Sequence, residues 1–396
     1  MGAPFFSRLL RKGWETTTLG VIFSPGLDLE THTLTPPRIL IAGGGTGGHI
    51  IPALAVAREL VARHNAEILF VGTARGLESR LVPAAGFQLK LIEVGPLNKV
   101  SLATRLRTLA QLPLSLFACS RIIREFRADA VFGVGGYASG PAMGAAILRR
   151  VPAMAFEPNA VPGMANRLVG KRVQAAAVNF PPAAKWFRNV EVTGIPVRPE
   201  FFTLASSPDN APPHLLIFGG SQGARLFNTL MPPLVPALLE AVPGLTLLHQ
   251  AGARHAETTL AAYQASGADP SRWRVEAFLD NMAGQFAAAH LVMARSGAST
   301  VAELAAAGKP SLLIPFAAAA DNHQRSNAEV MVAAGAAVML EEQELSRDPN
   351  LLLETLRNLL ANPATLQSMG EKARTQAHPA AAERIADRLA SLIQRQ

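Results

Sequence analysis

The sequence predicts an α/β fold in which two doubly wound domains face each other across a cleft. Short apolar runs alternate with helical patterns along the chain, which is typical of parallel sheets built from βαβ units. Glycine-rich loops at 43–48 and 219–223 each follow such a run and precede a helix. Loops of this kind aim free backbone N–H groups and a positive helix end at an anion, so the sequence predicts two phosphate sites.

A segment rich in proline and small polar residues, 205–213, divides the chain near its middle, because it suits neither a helix nor an inner strand. The predicted divisions are an N-terminal extension expected to be poorly ordered (1–37), a first domain (38–198), a linker (199–213), a second domain (214–362) and a helical tail (363–396). Gly370 and Pro379 are expected to break the tail.

The apolar runs predict the strands of both sheets. In the first half they are Arg38–Ala42, Glu67–Gly72, Leu89–Val94, Ala130–Gly133, Ala153–Phe156 and Ala175–Val178. In the second half they are His214–Phe218, Thr246–Gln250, Trp273–Ala277, Leu291–Ala294, Ser311–Ile314 and Ala337–Leu340.

The composition is that of a globular chain, since 49% of its 396 residues are hydrophobic and 17% are charged. The single cysteine, Cys119, excludes an intramolecular disulfide framework and a cysteine-based zinc site. Residues 1–200 carry 23 basic against 12 acidic side chains, whereas residues 201–396 carry 14 against 17. The basic half predicts a polyanionic partner. With 2 Tyr, 3 Trp and no nucleic-acid motif, an anionic membrane surface is favoured over nucleic acid.

The first glycine loop has the spacing of a dinucleotide fingerprint, Gly43-x-Gly45-x-x-Gly48. A dehydrogenase needs an acidic residue at the end of the next strand to bind ribose, and the run ending at Thr73 has none. Arg75 leaves an NADP-dependent enzyme as an alternative. His49, at the helix start, has two interpretations: a general base near neutral pH, or a side chain that only hydrogen-bonds the turn.

The second glycine loop is not followed by Gly-Lys-Ser or Gly-Lys-Thr, which excludes a P-loop triphosphatase. Ser221 and Gln222 add hydroxyl and amide groups beside open N–H groups, a set suited to a nucleoside diphosphate. A third glycine turn, Gly133–Pro141, lies in the basic half. It is explained either by tight strand–helix packing or by a second substrate that also carries phosphate.

Two segments of the second half offer polar groups. Thr300 and Glu303 have the spacing of a capping box, which is favoured for them, although a first-turn glutamate at a cleft can also bind both hydroxyls of a ribose. The loop Asp321–Gln324 suits sugar hydroxyls. Asp321 and His323 lack a third ligand, so no metal site is predicted.

The stretch 99–127 mixes leucine and phenylalanine with lysine and arginine, and Pro113 is expected to split it into two pieces. An apolar face edged by arginines indicates an interfacial patch on anionic lipid. The alternative is an ordinary amphipathic core helix with a solvated basic face.

Taken in order, these motifs resemble the MurG family of glycosyltransferases, glycosyltransferase family 28, over residues 38–390. The resemblance implies a GT-B architecture of two Rossmann-like domains. It implies inverting, metal-independent transfer of N-acetylglucosamine from UDP-N-acetylglucosamine to the C4 hydroxyl of an undecaprenyl-diphosphate-linked muramyl pentapeptide, without a cofactor. It also implies a peripheral location on the cytoplasmic face of the inner membrane. The motifs that carry it are 44–49, 135–141, 219–225, 295–303 and 321–324.

The resemblance also implies residue roles. His49 is the candidate base and Glu157 the second candidate, with Leu279 against uracil, Glu303 on the ribose and Gln324 on the sugar. The acceptor diphosphate is expected on Gly135, Gly136, Tyr137 and Ser139. The donor is expected to contact Thr46, Gly47, Gly48, Asn159, Arg198, Ser221, Leu279, Ala298, Ser299, Thr300, Val301, Ala302, Glu303 and Gln324.

Three positions depart from the family pattern. Phe156 and Pro158 stand where a His-Glu-Gln-Asn motif is common, and Ile195 stands for Asn in Gly-Asn-Pro-Val-Arg. Asn159 and Arg198 are kept, so donor binding is expected to be retained while acceptor preference stays open. The alternative functions are a diacylglycerol glycosyltransferase of the same architecture, an NADP oxidoreductase and a silent UDP-sugar-binding membrane adaptor.

Overall fold

The structure, a computed structural model, describes residues 35–95, 102–204 and 211–394. From Pro36 onward they belong to one compact unit. The predictions for residues 1–34, for the start of the 99–127 stretch and for the centre of the linker lie outside the described residues.

Seven parallel strands form the sheet of the first half. They are β1 (Arg38–Ala42), β2 (Glu67–Gly72), β3 (Gln88–Leu91), β4 (Ala130–Gly133), β5 (Ala153–Glu157), β6 (Ala175–Val178) and β7 (Val190–Val192), in the order β3-β2-β1-β4-β5-β6-β7. Its helices are α1 (Gly47–His64), α2 (Glu78–Ala84), α3 (Leu102–Phe126), α4 (Ser139–Arg149) and α5 (Met164–Val169). Along β1, alternate side chains enter core clusters on opposite faces of the sheet, which explains its uninterrupted apolar run.

Six parallel strands form the sheet of the second half. They are β8 (His214–Phe218), β9 (Thr246–Gln250), β10 (Trp273–Glu276), β11 (Leu291–Ala294), β12 (Ser311–Leu313) and β13 (Ala337–Met339), in the order β10-β9-β8-β11-β12-β13. The helices of this half are α6 (Arg225–Ala241), α7 (Ala256–Ala265), α8 (Met282–Ala288), α9 (Ala298–Ala307), α10 (His323–Ala333), α11 (Glu342–Arg347), α12 (Asn350–Leu360), α13 (Pro363–Arg374) and α14 (Ala381–Ile393).

The prediction of two doubly wound α/β domains is confirmed. Each predicted strand is present within a few residues of its expected ends. β7 was missed because Val190–Val192 is a three-residue edge strand whose side chains are all half-buried, so it has no alternating pattern. No helix within the described ranges has both the length and the apolar character needed to cross a bilayer.

Pro113 does not split the 99–127 stretch, because it lies inside the continuous 25-residue helix α3. The ring is exposed, whereas Ser115, Cys119 and Ile123 are buried at four-residue spacing beneath it. The packing of this stripe against the sheet and α4 outweighs the hydrogen bond that proline removes. The prediction of two pieces is therefore wrong.

The C-terminal tail has one break rather than two. Pro379 lies between α13 and α14, but Gly370 lies inside α13, where an added Cβ would be 2.7 Å from the carbonyl oxygen of Gly308. Gly370 therefore marks a close backbone approach. Beyond the break, α14 returns to the first domain and packs on α1, with Arg63 and Asp387 forming an ion pair of 2.7 Å.

Candidate active site

Both sheets reverse their winding at the strands that precede glycine loops. The chain moves outward on one side of β1 and then continues at β4 on the other side, and β8 and β11 repeat this in the second sheet. Loops that leave neighbouring strands at such a switch point bound a crevice at the carboxyl edge of the sheet. The topology therefore places the loops after β1 and β4 side by side, and likewise those after β8 and β11.

A buried carboxylate holds the first glycine loop in shape. Glu78, 1% exposed, accepts hydrogen bonds from Gly45 N (2.7 Å), Thr73 N (2.9 Å) and Thr73 Oγ1 (2.9 Å). A side chain at Gly44 or Gly76 would collide with this carboxylate. Glu78 was not predicted from the sequence, because a ribose-binding acid is expected at the end of β2, whereas Glu78 follows later and turns back onto the loop.

His49 lies in the first turn of α1 and contacts the third glycine turn. A Cβ on Gly135 would be 2.9 Å from Cε1 of His49, so the ring needs a glycine there. Burial lowers the pKa of His49, and His323 lowers it further, against opposing effects of a hydrogen bond to the Val134 carbonyl and of Glu78. Nδ1 has no hydrogen-bond partner among the described residues. The imidazole is therefore neutral near pH 7.

The first and third glycine loops touch. Gly136 has a φ of +82°, and a Cβ there would meet the Gly44 carbonyl. Tyr137 is exposed beside this contact, whereas Ser139 is fully buried against Gly133. The structure thus brings Gly135, Gly136 and Tyr137 to the His49 side of the cleft and turns Ser139 into the domain.

Glu157 is engaged by its own loop. Its Oε1 accepts from Asn159 N (2.9 Å) and Asn159 Nδ2 (3.3 Å), and its Oε2 accepts from Gly163 N (3.1 Å) and Asn166 Nδ2 (2.9 Å). The side chain is 2% exposed, and burial raises its pKa against these hydrogen bonds. These contacts fix the loop after β5 and hold Asn159 at its surface.

The second glycine loop opens onto a cavity of 620 Å³. Ser221 and Gln222 are exposed at its tip, in agreement with a loop that presents polar groups to a ligand. The lining also includes the first turns of α6 and polar side chains that follow β11, β12 and β13. Among the lining residues are Gly219, Gly223, Arg225, Thr229, Arg295, Phe316, Gln324 and Glu342.

Arg295 is a buried cation that begins the 295–303 motif and for which the sequence predicted no role. Its guanidinium lies between the rings of Phe227 (4.8 Å) and Phe316 (5.4 Å) and forms an ion pair with Glu342. The other carboxylate oxygen of Glu342 accepts from Ala317 N (2.8 Å). This cluster fixes the loop after β12, since its members pair buried charges and satisfy backbone groups at once.

Gln324 is held by the same loop. Its Oε1 accepts from Phe316 N (3.0 Å), and its backbone carbonyl accepts from Ser296 Oγ (2.8 Å). The side chain remains half-buried on the cavity wall, with its NH₂ group beside the open space.

The capping box predicted at Thr300 is absent. Helix α9 starts at Ala298 with Gly297 as its N-cap, and no side chain caps it. Thr300 and Glu303 therefore lie inside the helix, and Glu303 is not bound to the backbone at its start. The prediction failed because the spacing of a capping box also fits two consecutive positions on one helix face.

Glu303 is a half-buried carboxyl with a strongly raised pKa. Burial raises the pKa to about 7, while Arg198 opposes the shift and Glu200 adds to it. Arg198 reaches this region from the segment between the domains, where it pairs with Glu200 (3.2 Å) and lies over Phe201 (4.9 Å).

The remaining residues predicted to contact the donor differ in how far they are buried. Thr46 is exposed and Gly47 and Gly48 are half-buried at the start of α1. Ser299 and Ala302 are half-buried, whereas Leu279, Ala298 and Val301 are buried. The last three can therefore contact a ligand mainly through backbone atoms. Phe278, next to Leu279, is 57% exposed.

Two family models together match most of the chain. The model of the glycosyltransferase family 28 N-terminal domain matches residues 39–178, and that of the C-terminal domain matches residues 214–385. The UDP-N-acetylglucosamine–N-acetylmuramyl-(pentapeptide) pyrophosphoryl-undecaprenol N-acetylglucosamine transferase of Anaeromyxobacter dehalogenans strain 2CP-1 is 44% identical over 90% of this chain and 94% of its own. The protein of the same name from Solibacter usitatus is 43% identical, over 90% and 97%.

Solved structures agree with this comparison. The crystal structure of MurG from Acinetobacter baumannii matches with a TM-score of 0.76 and 30% identity, covering 90% of this chain and all of that one. The complex of MnaA from S. aureus with UDP matches with a TM-score of 0.65 at 15% identity, over 90% and 97% of the two chains, and shares the fold alone.

Proposed function

Since the chain belongs to glycosyltransferase family 28, we propose that it transfers N-acetylglucosamine from UDP-N-acetylglucosamine to the C4 hydroxyl of undecaprenyl-diphosphate-linked N-acetylmuramyl pentapeptide. The structural observation that carries the proposal is that His49, held against the glycine turn after β4 in the first domain, accompanies a glycine loop in the second domain that opens onto a cavity lined by Arg295 and Gln324. A UDP-N-acetylglucosamine-dependent transferase needs this combination of a base and an anion-binding loop.

We propose that the second domain binds the donor. The open N–H groups of the Gly219–Gly223 loop and the Ser221 hydroxyl hold the diphosphate, together with the N-terminal end of α9. Glu303 accepts hydrogen bonds from the ribose hydroxyls when ionised, and Arg198 favours that ionised form. Gln324 donates through its NH₂ group to the sugar, and Thr46, Gly47 and Gly48 close the opposite side.

The proposed reaction is a single displacement. The muramyl C4 oxygen attacks the anomeric carbon of the donor while its proton passes to His49. The bond from that carbon to the diphosphate oxygen breaks, and UDP leaves from the opposite face, so the configuration inverts. The N–H groups of the glycine loop stabilise the charge that grows on the leaving diphosphate. The four hydrogen bonds on Glu157 favour a role in shaping the loop, and this supports His49 as the base.

We also propose that the first domain docks on an anionic membrane surface. Phe117 on α3 and Leu148 on α4 are 73% and 76% exposed, and these two helices pack together. Leu114 and Leu168 add exposed apolar surface. Exposed basic side chains surround them, a pattern suited to anionic lipid. These side chains are Arg121, Arg124, Arg149, Arg150, Lys171 and Arg172.

The proposed reaction is tested by UDP release from UDP-N-acetylglucosamine in the presence of EDTA, with and without a short-chain prenyl-diphosphate muramyl peptide. We expect release that depends on the acceptor and is insensitive to EDTA. Release with diacylglycerol instead would assign a lipid glycosyltransferase. UDP binding without release on either acceptor would identify a silent adaptor.

A further inference from the structure

The guanidinium of Arg295, which directly follows β11, is directed at the backbone beyond the end of β12. Its Nη1 donates to the carbonyls of Ile314 (3.0 Å) and Pro315 (3.2 Å), and its Nη2 donates to Glu342. The residue is 8% exposed and lies between two aromatic rings. Proline has no backbone N–H, so Pro315 cannot donate to the strand ladder, and the direction of the backbone here depends on contacts such as those of Arg295.

One peptide unit connects Arg295 to Gln324. The carbonyl of Pro315 and the N–H of Phe316 belong to the same peptide bond, which is planar, and in the trans form they point in opposite directions. The carbonyl accepts from Arg295, and the N–H donates to Oε1 of Gln324 (3.0 Å). Because the unit turns as one body, the side chain that holds its carbonyl also sets the direction of its N–H.

This N–H decides which end of the Gln324 side chain is oxygen. A backbone N–H only donates, so it holds Oε1 and turns the NH₂ group away, toward the cavity that Gln324 lines. Ser296 holds the backbone carbonyl of Gln324 (2.8 Å) and not its side chain. Among the residues that the structure describes, no other hydrogen bond holds the Gln324 amide. Its direction therefore depends on the peptide unit that Arg295 fixes.

We propose that Arg295 is a positioning residue that orients the Gln324 amide and thereby the contact of the protein with the sugar of the donor. Glu342 supports it from α11, since one carboxylate oxygen accepts from Arg295 and the other from the N–H of Ala317 (2.8 Å). Held in this way, Gln324 presents an N–H, and not a carbonyl oxygen, to an oxygen of the sugar. The inference rests on the proposed contact of Gln324 with the sugar.

Binding of UDP-N-acetylglucosamine and of UDP to the full chain, measured by calorimetry, tests the proposal, because UDP lacks the transferred sugar. Arg295→Lys keeps a positive charge beside Glu342 but loses the planar fork that reaches the backbone carbonyls. We expect the Kd for UDP-N-acetylglucosamine to rise about 10-fold, the size of one hydrogen bond. The Kd for UDP should stay within about twofold, since its contacts are elsewhere. Equal weakening of both ligands, or no weakening of either, would overturn the proposal.

A double-mutant cycle tests whether Arg295 acts through Gln324. In a Gln324→Ala background the oriented amide is already gone, so Arg295→Lys should cause no further rise in the Kd for UDP-N-acetylglucosamine. A further rise of the same size as in the unmodified background would mean that Arg295 contacts the donor itself or acts by another route, and the inference would be wrong.

Glu342→Gln provides a second variant, which decides the question if the lysine variant does not fold. The amide has one oxygen where the carboxylate has two, so it cannot accept from both Arg295 and Ala317, and it carries no charge to hold the guanidinium. We expect weaker binding of UDP-N-acetylglucosamine with UDP binding retained, and no further effect in the Gln324→Ala background. Unchanged binding of both ligands would contradict the inference.

Arg272 offers a matched control in the same domain. Its guanidinium also donates to backbone carbonyls, but these precede β9, at the amino edge of the sheet: Leu239 (3.1 Å), Val242 (3.0 Å) and Leu245 (2.9 Å). Arg272→Lys should leave the Kd of both ligands unchanged. Selective weakening of UDP-N-acetylglucosamine by this variant would show that loss of any such guanidinium is sufficient, and would overturn the specific role of Arg295.

These measurements need neither acceptor nor turnover, which separates this inference from the proposed reaction. Absence of transfer by an unmodified protein that binds UDP-N-acetylglucosamine would contradict the proposed reaction alone. Failure of the unmodified protein to bind UDP-N-acetylglucosamine would overturn both.

Discussion

The imidazole of His49 lies against Gly135, where any side chain would displace it. Its chemistry is set by neighbours from three places in the sequence: the Val134 carbonyl beside it, Glu78 beneath the first loop and His323 across the cleft. Burial has the largest effect on its pKa and lowers it, so the ring is already deprotonated where the protein works. At the scale of single residues, the surrounding groups set the protonation state of this side chain before any substrate binds.

Replacing His49 by alanine should therefore remove the proton acceptor and leave the donor site intact. We expect turnover to fall about 100-fold or more, which is the usual contribution of a general base. UDP affinity, measured by calorimetry, should change little. His255→Ala, an exposed histidine on the second domain, is the control and should retain turnover. Near-normal turnover of the His49 variant would assign the base elsewhere.

The pH dependence of the reaction follows from the direction of the His49 shift. A base with a pKa below its usual 6.5 is unprotonated above that value, so kcat at saturating donor and acceptor should be flat at neutral pH and fall only as acid protonates the ring. The measurement is a pH profile of kcat in the unmodified protein, because kcat reports groups in the substrate complex and not the titration of Glu303 in the free protein. A midpoint above 7 on the acid limb would contradict the lowered pKa.

The pKa of Glu303 is raised, whereas that of His49 is lowered. Its pKa of about 7 means that the Glu303 carboxyl is half protonated at pH 7 in the free protein. The proposed contact with the ribose hydroxyls would favour the ionised carboxylate. UDP binding should therefore release a proton near pH 7 and tighten as the pH rises. Calorimetry in two buffers of different ionisation heat measures the release. Glu303→Gln should not show this proton release on UDP binding. Equal proton release from the variant and the unmodified protein would exclude Glu303 from the binding equilibrium.

At the scale of elements, the strands could be predicted from the sequence because their apolar patterns are local. Features that depend on contacts between distant segments could not be predicted. The buried strands are recognisable in the sequence as apolar runs, because both faces of each parallel sheet are covered. Tertiary packing overrides the local rule that predicted a break at Pro113. The spacing of Thr300 and Glu303 fits a helix interior as well as a capping box. Glu78 cannot be recognised locally, since it acts on a loop that is brought to it by the fold.

Glu78 shows how an element depends on one such contact. Glu78→Ala would leave the N–H groups of Gly45 and Thr73 unpaired in a buried site, at a cost of about 1–3 kcal/mol. We expect lower stability in urea together with weaker turnover. Glu67→Ala is the control, because Glu67 forms only an exposed ion pair with Arg38, worth about 1 kcal/mol or less. Equal losses from the two changes would contradict a special role for Glu78.

Replacing Gly370 by alanine should lower stability, although helix propensity alone would favour alanine. Alanine normally stabilises a helix interior by about 1 kcal/mol over glycine, yet here its Cβ would meet the Gly308 carbonyl at 2.7 Å. We expect Gly370→Ala to destabilise the protein by about 1–3 kcal/mol in urea unfolding, as overpacking does. Gly140→Ala in α4, where a Cβ would have only an ordinary 3.8 Å contact, should be tolerated. A stabilised Gly370 variant would show that α13 can shift away.

At the scale of the whole molecule, the two domains differ in the partners that they suit. The first half carries the excess of basic residues and the exposed apolar side chains of α3 and α4, whereas the second half carries a slight excess of acidic residues and the cavity beside the Gly219–Gly223 loop. Helix α14, at the end of the chain, ties back to the first domain through Asp387 and through Arg388, which pairs with Glu191. The fold therefore joins a surface suited to a membrane to a site suited to a soluble nucleotide, with the cleft between them.

Membrane docking is a prediction at this scale. Vesicles containing phosphatidylglycerol should bind the full chain, and Phe117→Ser combined with Leu148→Ser should weaken binding about 10-fold or more, because each side chain gains about 1.5–3 kcal/mol on full burial. High salt should weaken binding further by screening the surrounding arginines. Leu260→Ser, which changes an exposed leucine of the second domain, is the control and should bind as the unmodified protein does. Co-sedimentation with vesicles measures all of these, and UDP affinity should be unaffected in the double variant. Binding that survives loss of both apolar side chains would mean that charge alone, or another surface, holds the protein to lipid.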